Sequence, residues 1–163
     1  MIFMEHQKTG GFVTRPEDIE KQSFATITRE LGDLVLPDDI APVVKRVIHT
    51  SADFDYVRTL RFSPDAVRLG MEALRNGATI VTDTNMALAG ISKPSLSKLG
   101  AKAVCLMADP EVAALARERG TTRAVISMEK ASELPGPLIF AIGNAPTALI
   151  RLHEPVSYTH LRA

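Results

Sequence analysis

Cysteine is nearly absent from this chain. Cys105 is its only one, which excludes an internal disulfide and leaves too few thiolates for a zinc site. Net charge is missing as well. Nineteen Lys and Arg balance nineteen Asp and Glu, so there is no basic footprint for nucleic acid or for an anionic membrane surface. No apolar run reaches the roughly 20 residues that span a bilayer. The opening Met1-Ile2-Phe3-Met4-Glu5-His6 is broken by polar side chains too early for the apolar core of a signal peptide. What remains is ordinary globular composition: 45% hydrophobic and 23% charged over 163 residues. That composition excludes a disordered or low-complexity chain and suffices for one domain with a real core. A soluble cytoplasmic globule is the expectation.

No internal repeat and no linker rich in Pro, Gly or Ser divides the chain, and residues 1–15 read as a loose extension. Pro16-Glu17-Asp18 opens a helix: the proline pre-sets φ and the carboxylates favour the positive end of the dipole. Its apolar positions Ile19, Phe24, Ile27 and Leu31 fit one face only loosely, and Gly32 is a natural stop. A second helix is predicted from about Pro37 to Thr50, beginning near Asp39. Ile40, Val43, Val44, Val47 and Ile48 make its buried stripe. A third is predicted after Ser63-Pro64-Asp65, with serine as N-cap and proline at N1, ending at Asn76-Gly77. Short β-branched runs at 78–83, 101–107 and 137–142 read as buried strands. Helices are predicted over 111–119, over 121–131 with Thr121 or Thr122 as cap, and from about Ala148. This alternation predicts an α/β domain with a mainly parallel sheet and helices on both faces.

In such a sheet, ligands bind outside the carboxyl ends of the strands. Three places qualify: Asp83-Thr84-Asn85, Asp109, and Gly143-Asn144-Ala145-Pro146-Thr147. In the last, a glycine admits close backbone approach and a helix N-terminus offers unpaired amides to an anion. Small polar residues are also what any such turn requires. Asp83 has two readings, a hydrogen-bond acceptor for a ligand or a cap for the segment after Thr84, and capping is the commoner fate. Of the histidines, His6, His153 and His160 have no framework. His49 falls in the last turn of the second helix, on the side of Lys45 and Arg46. There a histidine either complements the helix dipole or serves as a proton donor near neutrality. No H-x-x-x-H or H-E-x-x-H spacing supports a metal role, and no metal is expected. Arg58 lies in an arginine-rich stretch, Tyr56 to Phe62. Arg123 stands at a helix start, where the dipole disfavours it and a carboxylate ligand would suit it. Cys105, within a strand, reads as a small hydrophobe.

Several blocks together resemble one family. Val47-Ile48-His49-Thr50-Ser51 through Leu60-Arg61-Phe62-Ser63-Pro64, Ile80-Val81-Thr82-Asp83-Thr84-Asn85-Met86, and Ala141-Ile142-Gly143-Asn144-Ala145-Pro146-Thr147-Ala148-Leu149 resemble the precorrin-8X methylmutases, as does Gln22-Ser23-Phe24. The resemblance runs over about 16–153 in the family's order. It implies an isomerase of cobalamin biosynthesis that moves a methyl group from C11 to C12 of precorrin-8X, or of its cobalt form, giving hydrogenobyrinate or cobyrinate. The shift stays within one molecule, so no cofactor is implied. The resemblance puts the proton-moving histidine on His49, a substrate-contacting serine on Ser23, and an arginine near the substrate on Arg123. Arg58, Asp83, Asn144 and Thr147 complete the expected substrate-binding set for a tetrapyrrole rimmed with carboxylates. A homodimer is implied too.

The resemblance ends near Glu154. Pro155 to Ala163 reads as a non-family tail, so the expected organisation is an extension over 1–15, an incomplete methylmutase-like domain over 16–154 lacking a final strand and helix, and the tail. Two other readings compete. One is a tetrapyrrole-binding protein or inactive fragment without turnover. The other is a generic anion-binding or nucleotide-binding module, against which the lack of a G-x-G-x-x-G or Walker lysine counts.

Overall fold

Three short strands define the sheet: β1 (Thr79–Thr82), β2 (Lys102–Val104) and β3 (Leu138–Ala141). The order is β2-β1-β3 and every pairing is parallel, with Ile80 opposite Ala103 and Ile139. The predicted α/β class with a parallel sheet is therefore what the chain forms. The computed structural model describes residues 15–159, and side chains as far as 154. Of the extension read over 1–15, residues 1–14 lie outside the described residues. Of the segment read as a tail, 155–159 continue a helical backbone and 160–163 lie outside them.

Contacts divide the chain into two compact units, one through Val67 and one from Arg68. The first holds α1 (Pro16–Leu31), α2 (Ala41–Ser51) and the short α3 (Tyr56–Thr59). Ile27, Val44 and Ile48 are its buried core, packed with Leu31, Leu36, Tyr56, Val57, Leu60 and Phe62. Burying an aliphatic side chain of this size stabilises by about 1.5–3 kcal/mol, so Val44 and Ile48 anchor the predicted stripe. Pro42 sits in the first turn of α2, where its missing N–H costs nothing. Ala52 closes α2 in a left-handed conformation.

α4 (Ala66–Arg75) corrects a cap assignment. Ser63 and Pro64 were expected at N-cap and N1, but Asp65 has φ 59° and the Ala66 amide donates to the Ser63 carbonyl. Proline second and a positive φ third make a type II turn, which an aspartate tolerates. The helix starts only after it.

The second unit contains the sheet with α5 (Asn85–Gly90), α6 (Lys93–Leu99), α7 (Pro110–Glu118), α8 (Arg123–Ser132) and α9 (Pro146–Thr159). Val81, Val104 and Phe140 share one register row and one face, and they pack on Ala124, Met128, Ala131 and Ala148 of α8 and α9. A second cluster, Val112, Ala116 and Ile126, joins α7 to α8. The caps are polar side chains in the expected places: Thr122 accepts from the Val125 amide and Asp109 from the Glu111 amide. α5 and α6 were not predicted, because neither contains a buried residue and so neither shows a stripe. No helix among the described residues is long and apolar enough to cross a membrane.

Candidate functional site

The first unit brings Ser23 and His49 together. Ser23 Oγ and His49 Nδ1 lie 2.7 Å apart, a side-chain hydrogen bond between α1 and α2. Both residues are half-buried. Their positions follow from core packing: Ile27 and Ile48 are buried in the same cluster, and each stands four residues or one residue from the polar partner it carries. When the imidazole is neutral with Ser23 donating to Nδ1, the proton sits on Nε2. When the ring is cationic, Nδ1–H donates to Ser23 Oγ instead. In both of these states Nε2 carries a hydrogen, whereas in the neutral tautomer with Nδ1–H donating to Ser23 it is a bare acceptor; no described residue is bonded to Nε2 in the structure.

The pair opens on a groove of about 600 Å³ lined by Ile19, Gln22, Thr26, Ile48, His49 and Phe54, among others of the same unit. Apolar walls with a few convergent polar groups are the usual make-up of a small-molecule site. Ile19 and Phe54 are 47% and 40% exposed, large apolar surface that a bound molecule would cover. The other face of the pair holds residues that the sequence did not single out. Phe24 stacks on His49, ring centroids 5.6 Å apart and planes 17° from parallel. The Arg46 guanidinium lies 4.9 Å from the centre of the Phe24 ring and donates to Glu20 at 2.6 Å. This explains the loose periodicity of α1, since Phe24 belongs to the imidazole rather than to the core. A signal was present in the spacing: Glu20 and Phe24 are four apart, Arg46 and His49 three apart, so each pair shares a helix face. Arg58, also in this unit, projects from α3 as an exposed side chain.

The second unit treats its polar residues differently. Because β1 and β3 are parallel neighbours, their carboxyl ends lie side by side, and Asp83 faces the turn 143–145. Its carboxylate accepts the amides of Asn144 at 2.7 Å and Ala145 at 2.8 Å, and that of Gly143 at 3.2 Å. Asp83 is 1% exposed. The amides expected to stand open to an outside anion are therefore occupied by the chain's own anion. In this structure Asp83 directs these bonds to the 143–145 turn that leads into α9 rather than to an outside group. Burial pushes this carboxyl up, but the three amides together outweigh that and hold it below the ordinary aspartate range.

The remaining candidates lie at the surface of the second unit. Asn144 and Thr147 are exposed, and the Thr147 and Thr122 hydroxyls lie 3.4 Å apart. Arg123 is exposed at the first position of α8 and donates to the Met107 carbonyl at 3.4 Å. Asp109, besides capping α7, pairs with Lys130 at 3.4 Å. Among the described residues no group of His, Cys, Asp and Glu could hold a metal ion.

Comparison with known proteins gives one answer. The family profile described as precorrin-8X methylmutase matches residues 18–163. A cobalt-precorrin-8 methylmutase from Priestia megaterium is 44% identical over 138 residues, covering 85% of this chain and 61% of the relative. The corresponding protein from Salmonella typhimurium is 41% identical over 150 residues, covering 88% and 71%. A solved precorrin-8X methylmutase structure from Thermus thermophilus superposes with a TM-score of 0.78 at 38% identity, covering 87% of this chain and 69% of that one. The chain thus spans about three fifths of the length of its Priestia relative.

Proposed function

The chain belongs to the precorrin-8X methylmutase family, and from that premise we propose that it is an isomerase of cobalamin biosynthesis, with His49 as its proton-transfer group. The reaction moves a methyl group from C11 to C12 of precorrin-8X or of its cobalt form. One carbon–carbon bond breaks and another forms within the same molecule, so no methyl donor and no oxidant enter the balance. The observation that carries the reading is the Ser23–His49 hydrogen bond of 2.7 Å at the edge of an apolar groove.

What such a rearrangement asks of a protein is modest and specific. The macrocycle must be held in a reactive conformation, and a proton must be supplied where charge develops on the ring. With Ser23 donating to Nδ1, Nε2–H is the donor offered to the substrate. Apolar residues such as Ile19 and Phe54 cover the face of the disc. Arg58, in the same unit as His49, is proposed to meet a carboxylate of the rim through paired hydrogen bonds; for Arg123, Asn144 and Thr147 of the second unit a carboxylate-binding role is proposed from the family resemblance alone. The reading includes a homodimer, which the family resemblance supports, and a cytoplasmic location, which rests on the composition of the sequence.

The test is direct. The purified chain is incubated separately with precorrin-8X and cobalt-precorrin-8, and the visible spectrum of the pigment is followed, with His49→Ala alongside. Conversion by the chain, lost in the variant, is the expected outcome. Binding of the pigment with no conversion would mean that this chain sequesters a tetrapyrrole, and no spectral change at all would remove the substrate assignment.

A further inference from the structure

Two contacts join α1 to α2 by polar side chains, and they are spaced as rungs. Ser23 meets His49 at 2.7 Å, and Glu20 meets Arg46 at 2.6 Å, each rung three residues from the other on both helices. Phe24 stands between them. One of its neighbours is the imidazole, stacked at 5.6 Å and 17°; another is the guanidinium, 4.9 Å from the ring centre. Phe24 is half-buried and is no member of the apolar cluster formed by Ile27, Val44 and Ile48. Filling the core is therefore not what this ring does.

We propose that Phe24, backed by Arg46 and Glu20, is a positioning group that fixes the plane of the His49 imidazole so that Nε2 is presented to the reacting molecule. This rests on the assignment of proton transfer to His49, but the contact it describes belongs to the substrate-free protein. The torsion that turns an imidazole about its own bond has a broad profile. A single hydrogen bond to Nδ1 limits rotation and leaves the tilt of the ring open. A stacked aromatic surface removes that tilt. The cation above Phe24 is attracted to the π-face, and Glu20 pairs with the exposed guanidinium while it lies over the ring. The Arg46 hydrogen bond, opposed by a smaller desolvation, holds the Glu20 carboxyl below its ordinary range, so the outer rung stays ionised through neutral and mildly acid solution. A 1 Å misplacement of a proton donor lowers turnover by up to about 100-fold, which is the effect the stack suppresses.

The experiment separates ring geometry from turnover. Histidine-selective ¹⁵N labelling of the full chain reports both imidazole nitrogens of His49, identified by their loss in His49→Ala. In the substrate-free protein with the ring neutral, a single tautomer protonated at Nε2 is expected. Phe24→Leu should free the ring to part from Ser23 and exchange tautomers, bringing the two nitrogen shifts together by averaging, and lower kcat about tenfold with KM within about twofold. Phe24→Tyr, which retains the ring, should recover the separated shifts and most of the rate. Arg46→Gln changes only the exposed end of the stack, so it remains informative where Phe24→Leu does not fold; it should lower kcat about threefold with partial averaging. Shifts and kcat unchanged in both Phe24→Leu and Arg46→Gln would overturn the proposal, and so would Phe24→Tyr behaving like Phe24→Leu. Shifts that respond as described while no version of the chain converts pigment would uphold the positioning role and remove the methylmutase reading instead.

Discussion

The two units use a polar side chain at the end of an element in opposite ways. In the second, Asp83 follows a buried strand and turns inward, where three backbone amides take up its charge. In the first, His49 sits in the last turn of a helix with one ring nitrogen bonded to Ser23 and the other without a described acceptor. Asp83 is 1% exposed, whereas His49 is half-buried and lines a groove. A carboxylate that is buried and bonded to its own backbone is closed off from an outside group by that burial, whatever its place at a strand end. A histidine held through one nitrogen is oriented and still able to act. The lesson is that location at the carboxyl edge of a sheet nominates a residue, while the destination of its hydrogen bonds decides its role.

Paired substitutions break that comparison if it is wrong. His49→Ala should lower turnover of the pigment by about 10²–10⁴, the usual range for losing a general acid, and should cost only about 1–2 kcal/mol of stability, from the Ser23 bond and the Phe24 stack, because Ile48 beside it carries the packing. Asp83→Ala should act chiefly on stability. Removing a buried acceptor strands three amides, at about 1–3 kcal/mol for each unsatisfied group, and a loss of about 3–5 kcal/mol is expected once the turn has relaxed and water has entered. Denaturant unfolding of both variants measures the contrast. A His49→Ala variant less stable than Asp83→Ala would invert the roles assigned here.

Acid sharpens the same contrast by a smaller amount. The folded-state value of Asp83 lies below its unfolded one. Its carboxylate therefore contributes stability that is complete above the unfolded value, near 3.9 for an ordinary aspartate, and that disappears as pH falls through the depressed folded value. The stability difference between the wild-type chain and Asp83→Asn should be constant from about pH 6 to 8 and shrink below about pH 4. Denaturant melts across that range test it, and a difference that grows in acid would contradict the hydrogen-bonded assignment.

Much of the architecture was legible because periodicity reports burial. Val44 and Ile48 lie on the stripe that named α2, and the three β-branched runs became the three parallel strands. α5 and α6 left no such trace, since they bury no residue and are held by the Thr84 and Ser92 caps. At the α4 entrance, Ser-Pro-Asp reads equally well as a cap or a turn, and only the left-handed Asp65 separates the two. The Ser23–His49 pair came from family resemblance, because 26 residues of separation give no local sign of contact. Phe24 reads as one of the apolar positions of α1 for a related reason: an aromatic residue on a helix looks like core until its neighbour is known to be an imidazole. The occupancy of the 143–145 amides was illegible too, since their acceptor lies 60 residues earlier in the chain.

Gly143 yields the smallest expected effect and the finest distinction. A glycine in this turn suggested close approach by a ligand, yet its φ is not in the left-handed region and a Cβ built there meets nothing within 4 Å. Neither backbone strain nor packing in the folded chain therefore requires glycine at 143. Its amide still donates to Asp83, which an alanine would leave intact. Gly143→Ala should thus be neutral or stabilising by about 0.4–1 kcal/mol, because the unfolded chain loses freedom while the folded chain loses no contact. Thermal melts measure that term, and a clear destabilisation would mean that the turn is tighter than its described geometry. Pigment titration measures the other. If binding weakens while stability is unchanged, the empty space over Gly143 is filled by ligand; if both are unchanged, the turn serves only to seat α9 on Asp83.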